Sequence, residues 1–258
     1  MTRLGIVALN AFREAVRDRV LYNLLFFALL MIAAAILVGQ ISIGIERIVI
    51  VSLGLTAISI IGILISIFIG VSLVYKEMEK RTLYALLAKP VRRWEFLLGK
   101  FGGLVLTLVV NTAAMALGLF LALLYVEHSL QHGDLAVLVA VYFILLKLAL
   151  LVALALLFSC YTTPILATLF TSGIYVVGLF VQELKNIPLD VMGPAMAAFT
   201  RWLAYLLPNF DNYDVMGPAA HGQAIPGILI LENTLYTVVY CAIVLSLAAV
   251  VFSRRDLK

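Results

Sequence analysis

The sequence predicts an all-α, polytopic membrane protein with six transmembrane helices and both termini in the cytoplasm. Three observations carry this expectation. The 258 residues are 64% hydrophobic and only 12% charged, with a mean hydropathy of +1.14, more apolar than a soluble domain of this size requires. The apolar residues gather in six runs near the roughly 20 residues that a helix needs to cross a bilayer. The lysines and arginines divide unequally between the connections.

Residues 2–19 read as a helix on the cytoplasmic surface: Leu4, Ala8, Ala11 and Ala15 recur at helical spacing, with arginines elsewhere on the turn. This stretch lacks a compact apolar segment followed by a small-residue cleavage site, so it does not read as a signal peptide. It serves either as a positive-inside anchor or as a connecting helix that also touches a cytosolic partner. The apolar runs follow at about 20–40, 48–75, 101–126, 135–158, 163–182 and 227–252. Backbone polar groups in lipid must be satisfied within the segment, which makes these runs helices.

With six spans both termini share a side. That side holds Arg3, Arg13, Arg17 and Arg19, seven basic residues between Lys76 and Lys100, and Arg254, Arg255 and Lys258. The opposite side holds only Arg47, Lys185 and Arg201. The basic side is therefore expected to be cytoplasmic. The whole chain, 1–258, reads as a single transmembrane domain. Residues 183–226 form its long outer connection, where AMAAFTRWLAYLLPN is apolar, broken by Pro208, and suited to a re-entrant or interfacial helix. The hexapeptide DVMGPA occurs twice there, at 190–195 and 214–219, and reads as two similar turns.

Reactive chemistry is sparse. His128, His132 and His221 fall in outer connections, and no HExxH motif occurs. His128 and His132 stand four apart and read as a solvated loop pair before a metal site. Cys160 and Cys241 suggest neither a disulfide framework nor a metal site, and no basic patch of the kind that binds nucleic acid stands in a polar domain. Catalysis by this chain and a metal or cofactor of its own are not expected. No G-x-x-x-x-G-K-[ST] occurs, so energy for uphill work would enter through a partner. Within the spans Lys147 is the conspicuous charge. It either reaches carbonyls or a crevice and serves packing, or lines a pathway and meets an anionic group, with Asn111 a weaker candidate for the same cavity. Ser52, Thr56, Ser59, Gly62, Ser66 and Gly70 share one face of the second run and suit close helix packing, within the chain or between subunits.

The stretch from Lys76 to Lys100 concentrates seven basic residues with Glu77, Glu79 and Glu95. The second span is expected to end near Tyr75. Leu83, Leu86 and Leu87 then recur at three and four residues, predicting a short amphipathic helix that Pro90 stops. Arg92 and Arg93 form a basic turn, and the chain re-enters the membrane through Gly99, Gly102 and Gly103. Such a helix between two spans is a lever.

The pattern E-x-x-x-x-T-L-x-x-L-L-x-x-P-V-x-R-x-x-F-x-x-G-K, from Glu77 to Lys100, resembles the cytoplasmic loop of ABC-2 type transporter permeases. Arg81-Thr82-Leu83 stands where members commonly have Gly-Thr-Leu. The resemblance implies the ABC-2, type V exporter-like permease fold. It implies a coupling region over Glu77, Glu79, Arg81, Thr82, Leu83, Leu86, Leu87 and Pro90, flanked by Arg92 and Arg93, docking on separate cytosolic ATP-binding subunits that hold ATP and Mg. It further implies a second permease copy or paralogue, contact with membrane lipids, and residence in the prokaryotic cytoplasmic (inner) membrane. Apolar walls with few charges fit export of a lipidic or amphipathic substrate. Two other readings stay open: a membrane scaffold or assembly subunit, and an ATP-independent carrier or channel.

Overall fold

The computed structural model describes residues 3–42, 44–79, 93–127, 133–186 and 194–254. Among these there are helices and no strands. In chain order they are α1 (Arg3–Val16), α2 (Arg19–Ile41), α3 (Glu46–Glu79), α4 (Arg93–Glu127), α5 (Asp134–Ser159), α6 (Pro164–Leu179), α7 (Val181–Asn186), α8 (Pro194–Leu206), a 3-10 turn (Asp211–Tyr213), α9 (Met216–Ala220) and α10 (Gly227–Arg254).

Five of these helices, α2, α3, α4, α5 and α10, are long and apolar enough to cross a membrane. The fifth predicted run is α6. Its 16 residues span about 24 Å, short of the ~30 Å hydrocarbon core. Pro164 sits at its first turn, where a missing N–H costs nothing. After a turn at Phe180, α7 continues the chain.

The core is built around α5. It packs against α3, α4, α6 and α10 and is enclosed along most of its length, whereas α2 and α10 leave broad apolar faces exposed. Exposed rows such as Phe26, Leu30 and Leu37 on α2, or Leu231, Leu235 and Val238 on α10, suit lipid contact. The small face predicted on the second run meets α5. A Cβ on Gly62 would stand 2.6 Å from Leu148, and one on Gly70 3.0 Å from the Ala155 Cβ. These glycines let α3 and α5 approach closely, so packing within the chain is the use their surroundings show.

The predicted surface helix is α1. Ala11 and Ala15 are buried while Arg13, Glu14 and Arg17 are exposed. It lies along the start of α4: a Cβ on Gly103 would collide with the Ala8 carbonyl and stand 2.5 Å from the Ala11 Cβ. Lys100, itself buried, pairs with Glu14 at 3.4 Å.

Two helices run past their apolar runs. The second span, expected to end near Tyr75, ends at Leu73, and the helical backbone of α3 runs on through Lys76, Glu77, Met78 and Glu79. α4 begins at Arg93, eight residues before the predicted start of its apolar run. Hydropathy marks where a helix leaves lipid, not where it stops, and Lys, Glu and Met are good helix formers.

Candidate functional site: a charged helical junction and a mid-bundle lysine

The first candidate site joins the basic ends of α3 and α4. Glu77 and Glu79 belong to the last turn of α3, and Arg93 opens α4. Arg81, Thr82, Leu83, Leu86, Leu87, Pro90 and Arg92 lie outside the described residues, and so does the short amphipathic helix predicted there. What the structure adds is the state of the two arms. α3 is one helix of 34 residues and α4 one of 35, each about 50 Å long. α3 runs unbroken to Glu79 and α4 unbroken from Arg93.

The arms are braced at both ends. At the basic end α1 clamps α4 through the Gly103 contact and the Lys100–Glu14 pair, and Phe96 stacks on Phe252 of α10 at 6.1 Å. At the opposite end Arg47 of α3 donates from Nη1 to both carboxylate oxygens of Glu127 on α4, at 2.8 and 2.6 Å. Its Nη2 donates to Asp134 on α5 at 2.8 Å. All three side chains are mostly buried. The fork of a guanidinium matches two carboxylates at once, so one side chain fixes three helix ends. The backbone is tight here too: a Cβ on Gly133 would stand 2.9 Å from the Arg47 guanidinium and 3.1 Å from the Gly222 Cα, and Gly222 adopts φ +66°.

The second candidate site is Lys147. It lies on α5 about 20 Å along the helix from Asp134, is 5% exposed, and donates to the Ser59 hydroxyl of α3 at 2.7 Å. Asp214, on the chain segment after α8, attracts it electrostatically. Asn111 does not join this group; its amide donates to the Thr107 carbonyl one turn back at 2.8 Å.

Asp214 belongs to the connection between α8 and α10, and much of that connection is buried. Phe210, Tyr213, Val215, Ala219 and Ala220 are buried. The Phe210 amide donates to the Gly178 carbonyl at the end of α6 at 3.0 Å, and a Cβ on Gly178 would stand 2.5 Å from the Phe210 ring. Tyr213 and Thr237 of α10 share a hydrogen bond at 2.7 Å, Tyr236 accepts from the Asn209 amide, and Tyr240 donates to the Leu206 carbonyl. Met216 reaches Thr56 of α3. Thr56 lies about 14 Å along α3 from Arg47, and Thr237 about 15 Å along α10 from Gly227. Residues 208–222 thus pack into the bundle to about 15 Å from the Arg47 end, roughly one helical turn short of Lys147, and return to Arg47's level at Gly222. The second DVMGPA copy is the rising limb, with Asp214 accepting from the Met216 amide at 3.2 Å. Of the first copy, Pro194 and Ala195 open α8, and the rest lies outside the described residues.

The sequence reading passed over Glu232. With Asp211, Asp214, Asn212, Asn233 and Tyr236 it lines a cavity of about 470 Å³ between the re-entrant segment and α10. A lone acid six residues into an apolar run was the available signal. Among the described residues no group of three or more histidines, cysteines or carboxylates has a metal-holding arrangement. His128 and His132 lie outside them.

The family described as ABC-2 family transporter protein matches residues 6–257, almost the whole chain. The chain belongs to the ABC-2 transporter family. It is an integral membrane protein and a permease subunit of an ABC transporter, a class of membrane subunit that normally pairs with ATP-binding subunits. Comparison with curated proteins gives no match.

Proposed function

We propose that this permease exports a lipidic or amphipathic molecule, driven by two cytosolic ATP-binding subunits that dock on residues 77–95 of each of two permease chains. The observation that carries the reading is mechanical. α3 and α4 leave the charged stretch as unbroken helices, and their far ends are joined by Arg47 and Glu127. Closure of the ATP-binding pair would push between Glu79 and Arg93 and tilt the two helices as one braced unit. α5 carries Lys147 against Ser59, so the tilt would shift that contact and loosen the re-entrant segment that Tyr213 ties to Thr237 of α10. A path for an anionic or zwitterionic headgroup would then open beside Lys147, between apolar walls.

In this reading the basic end faces the cytoplasm, in the prokaryotic inner membrane. The chain crosses six times, with α6 as the short fifth crossing. Residues 208–213 occupy the remaining depth above Gly178, which supports a crossing by a helix of only 16 residues. ATP and Mg would reside on the partner.

The test is purification from native membrane with identification of bound subunits, followed by reconstitution into vesicles. ATP-dependent transport by the chain together with a co-purified ATP-binding subunit is expected. Transport by the purified chain alone would make it an ATP-independent carrier. A stable complex without transport-linked ATPase stimulation would make it a scaffold.

A further inference from the structure

The polar groups that line the cavity between the re-entrant segment and α10 are mostly acceptors without donors. Among the described residues the side chains of Glu232 and Asp211 make no hydrogen bond or ion pair, and Asp214 accepts only from the Met216 amide. Lys147, which Asp214 attracts, is not a lining residue and donates to Ser59 instead. Asn233 points the same way from inside. It is 7% exposed, its Nδ2 donates to the Leu229 carbonyl at 3.0 Å, and its Oδ1 receives no donor. With Nδ2 held by its own helix, Oδ1 is the atom of this side chain left to face the cavity. An amide oxygen in so buried a residue is costly to leave unpaired. Donors are fewer: the Asn212 amide and the Tyr236 hydroxyl, whose oxygens already accept from Asn209.

Three carboxylates and an unpaired amide oxygen call for a ligand that carries positive charge and several N–H donors, the chemistry of an ammonium group. A single metal ion fits less well. Among the described residues no three carboxylates have a metal-holding arrangement, and about 470 Å³ is room for a small molecule. We propose that this cavity binds a primary ammonium group, with Asp211 and Glu232 supplying charge at its exposed rim and Asn233 Oδ1 accepting an N–H at its buried floor. The level of the cavity allows two carriers of that group. α10 is about 42 Å long against ~30 Å of hydrocarbon, so Glu232, about 8 Å from its start, stands near the edge of the apolar layer. A free amine from solution and the headgroup of an aminophospholipid both reach that edge. The inference stands apart from the proposed function, since binding here requires neither ATP nor transport.

The test has two arms, both on the full chain purified in detergent. In the first, thermal unfolding is followed against ethanolamine, against tetramethylammonium as a cation without N–H donors, and against magnesium. In the second, the chain is offered equimolar phosphatidylethanolamine and phosphatidylcholine, and the retained lipids are counted by native mass spectrometry. Stabilisation by ethanolamine above the other two cations is expected. Retention of phosphatidylethanolamine over phosphatidylcholine makes a lipid headgroup the carrier; equal retention makes it a free amine. Asp211→Asn and Glu232→Gln should each weaken ethanolamine binding about tenfold, the weight of one charge-assisted hydrogen bond. Glu232→Asp should keep most of it, and all three variants should unfold at the wild-type temperature without ligand, because both positions are exposed. Equal stabilisation by ethanolamine and tetramethylammonium, a preference that survives both neutral variants, or stronger stabilisation by magnesium would each overturn the proposal.

Discussion

Replacing Lys147 by methionine separates a pathway role from a packing role, because the two predict opposite pairings of stability and activity. Lys147 is 5% exposed and bonded to Ser59. Holding a lysine at mid-membrane costs about 3 kcal/mol on the lenient insertion scale. Methionine has a similar length, so the cavity term is small. Ser59 loses one hydrogen bond, worth about 1 kcal/mol, and its hydroxyl can turn back to its own helix as Ser66 does toward the Gly62 carbonyl. Asp214 is exposed and makes no ion pair with Lys147 among the described contacts, so its share of the loss is small. Lys147→Met should therefore stabilise the chain by about 2 kcal/mol, the difference of these terms. A protein that retains so costly a group uses it, and transport should fall at least tenfold. The assays are thermal or denaturant unfolding in detergent and ATP-driven transport in vesicles. A variant that is less stable yet transports normally would refute the reasoning and make Lys147 a packing residue.

Arg47→Gln strips the shared partner from two mostly buried carboxylates and should cost about 3 kcal/mol, and Glu127→Gln in the same background should cost far less than alone; a double-mutant cycle in unfolding free energy checks this. Gly103→Leu forces α1 away from α4, should cost about 1–3 kcal/mol as overpacking, and should weaken coupling while the chain still inserts, read as ATPase stimulation against transport. Gly178→Val displaces Phe210 and should free the re-entrant segment, seen as faster labelling of a cysteine placed at Asp211 from the outer side.

Five of the six predicted spans were readable because hydropathy is a local property summed over about 20 residues. Lys147 stood out for the same reason: a lone charge in an apolar run is visible without knowing its neighbours. Its partners were not visible, since Ser59 and Asp214 come from distant parts of the chain and only the packing of α3 and the re-entrant segment against α5 brings them together. Asn111 is a different case: a short side chain on a helix can bond the preceding turn, and its amide does so. Hydropathy located the end of the second span but carries no signal for how far α3 continues past it, through Glu79. The depth of residues 208–222 was hidden because such a segment has the composition of a loop; its burial rests on the fit of Phe210 against Gly178 and of Tyr213 against Thr237.

The measurement closest to the central claim is coupling across the charged stretch. The chain is reconstituted with its ATP-binding subunit, and Glu79, Leu83 and Leu87 are replaced together by alanine. Membrane insertion should be unchanged and ATP hydrolysis should continue, while transport per ATP hydrolysed drops at least tenfold. Unchanged transport per ATP would contradict the account, because the helices α3 and α4 would then be driven from somewhere other than the junction between them.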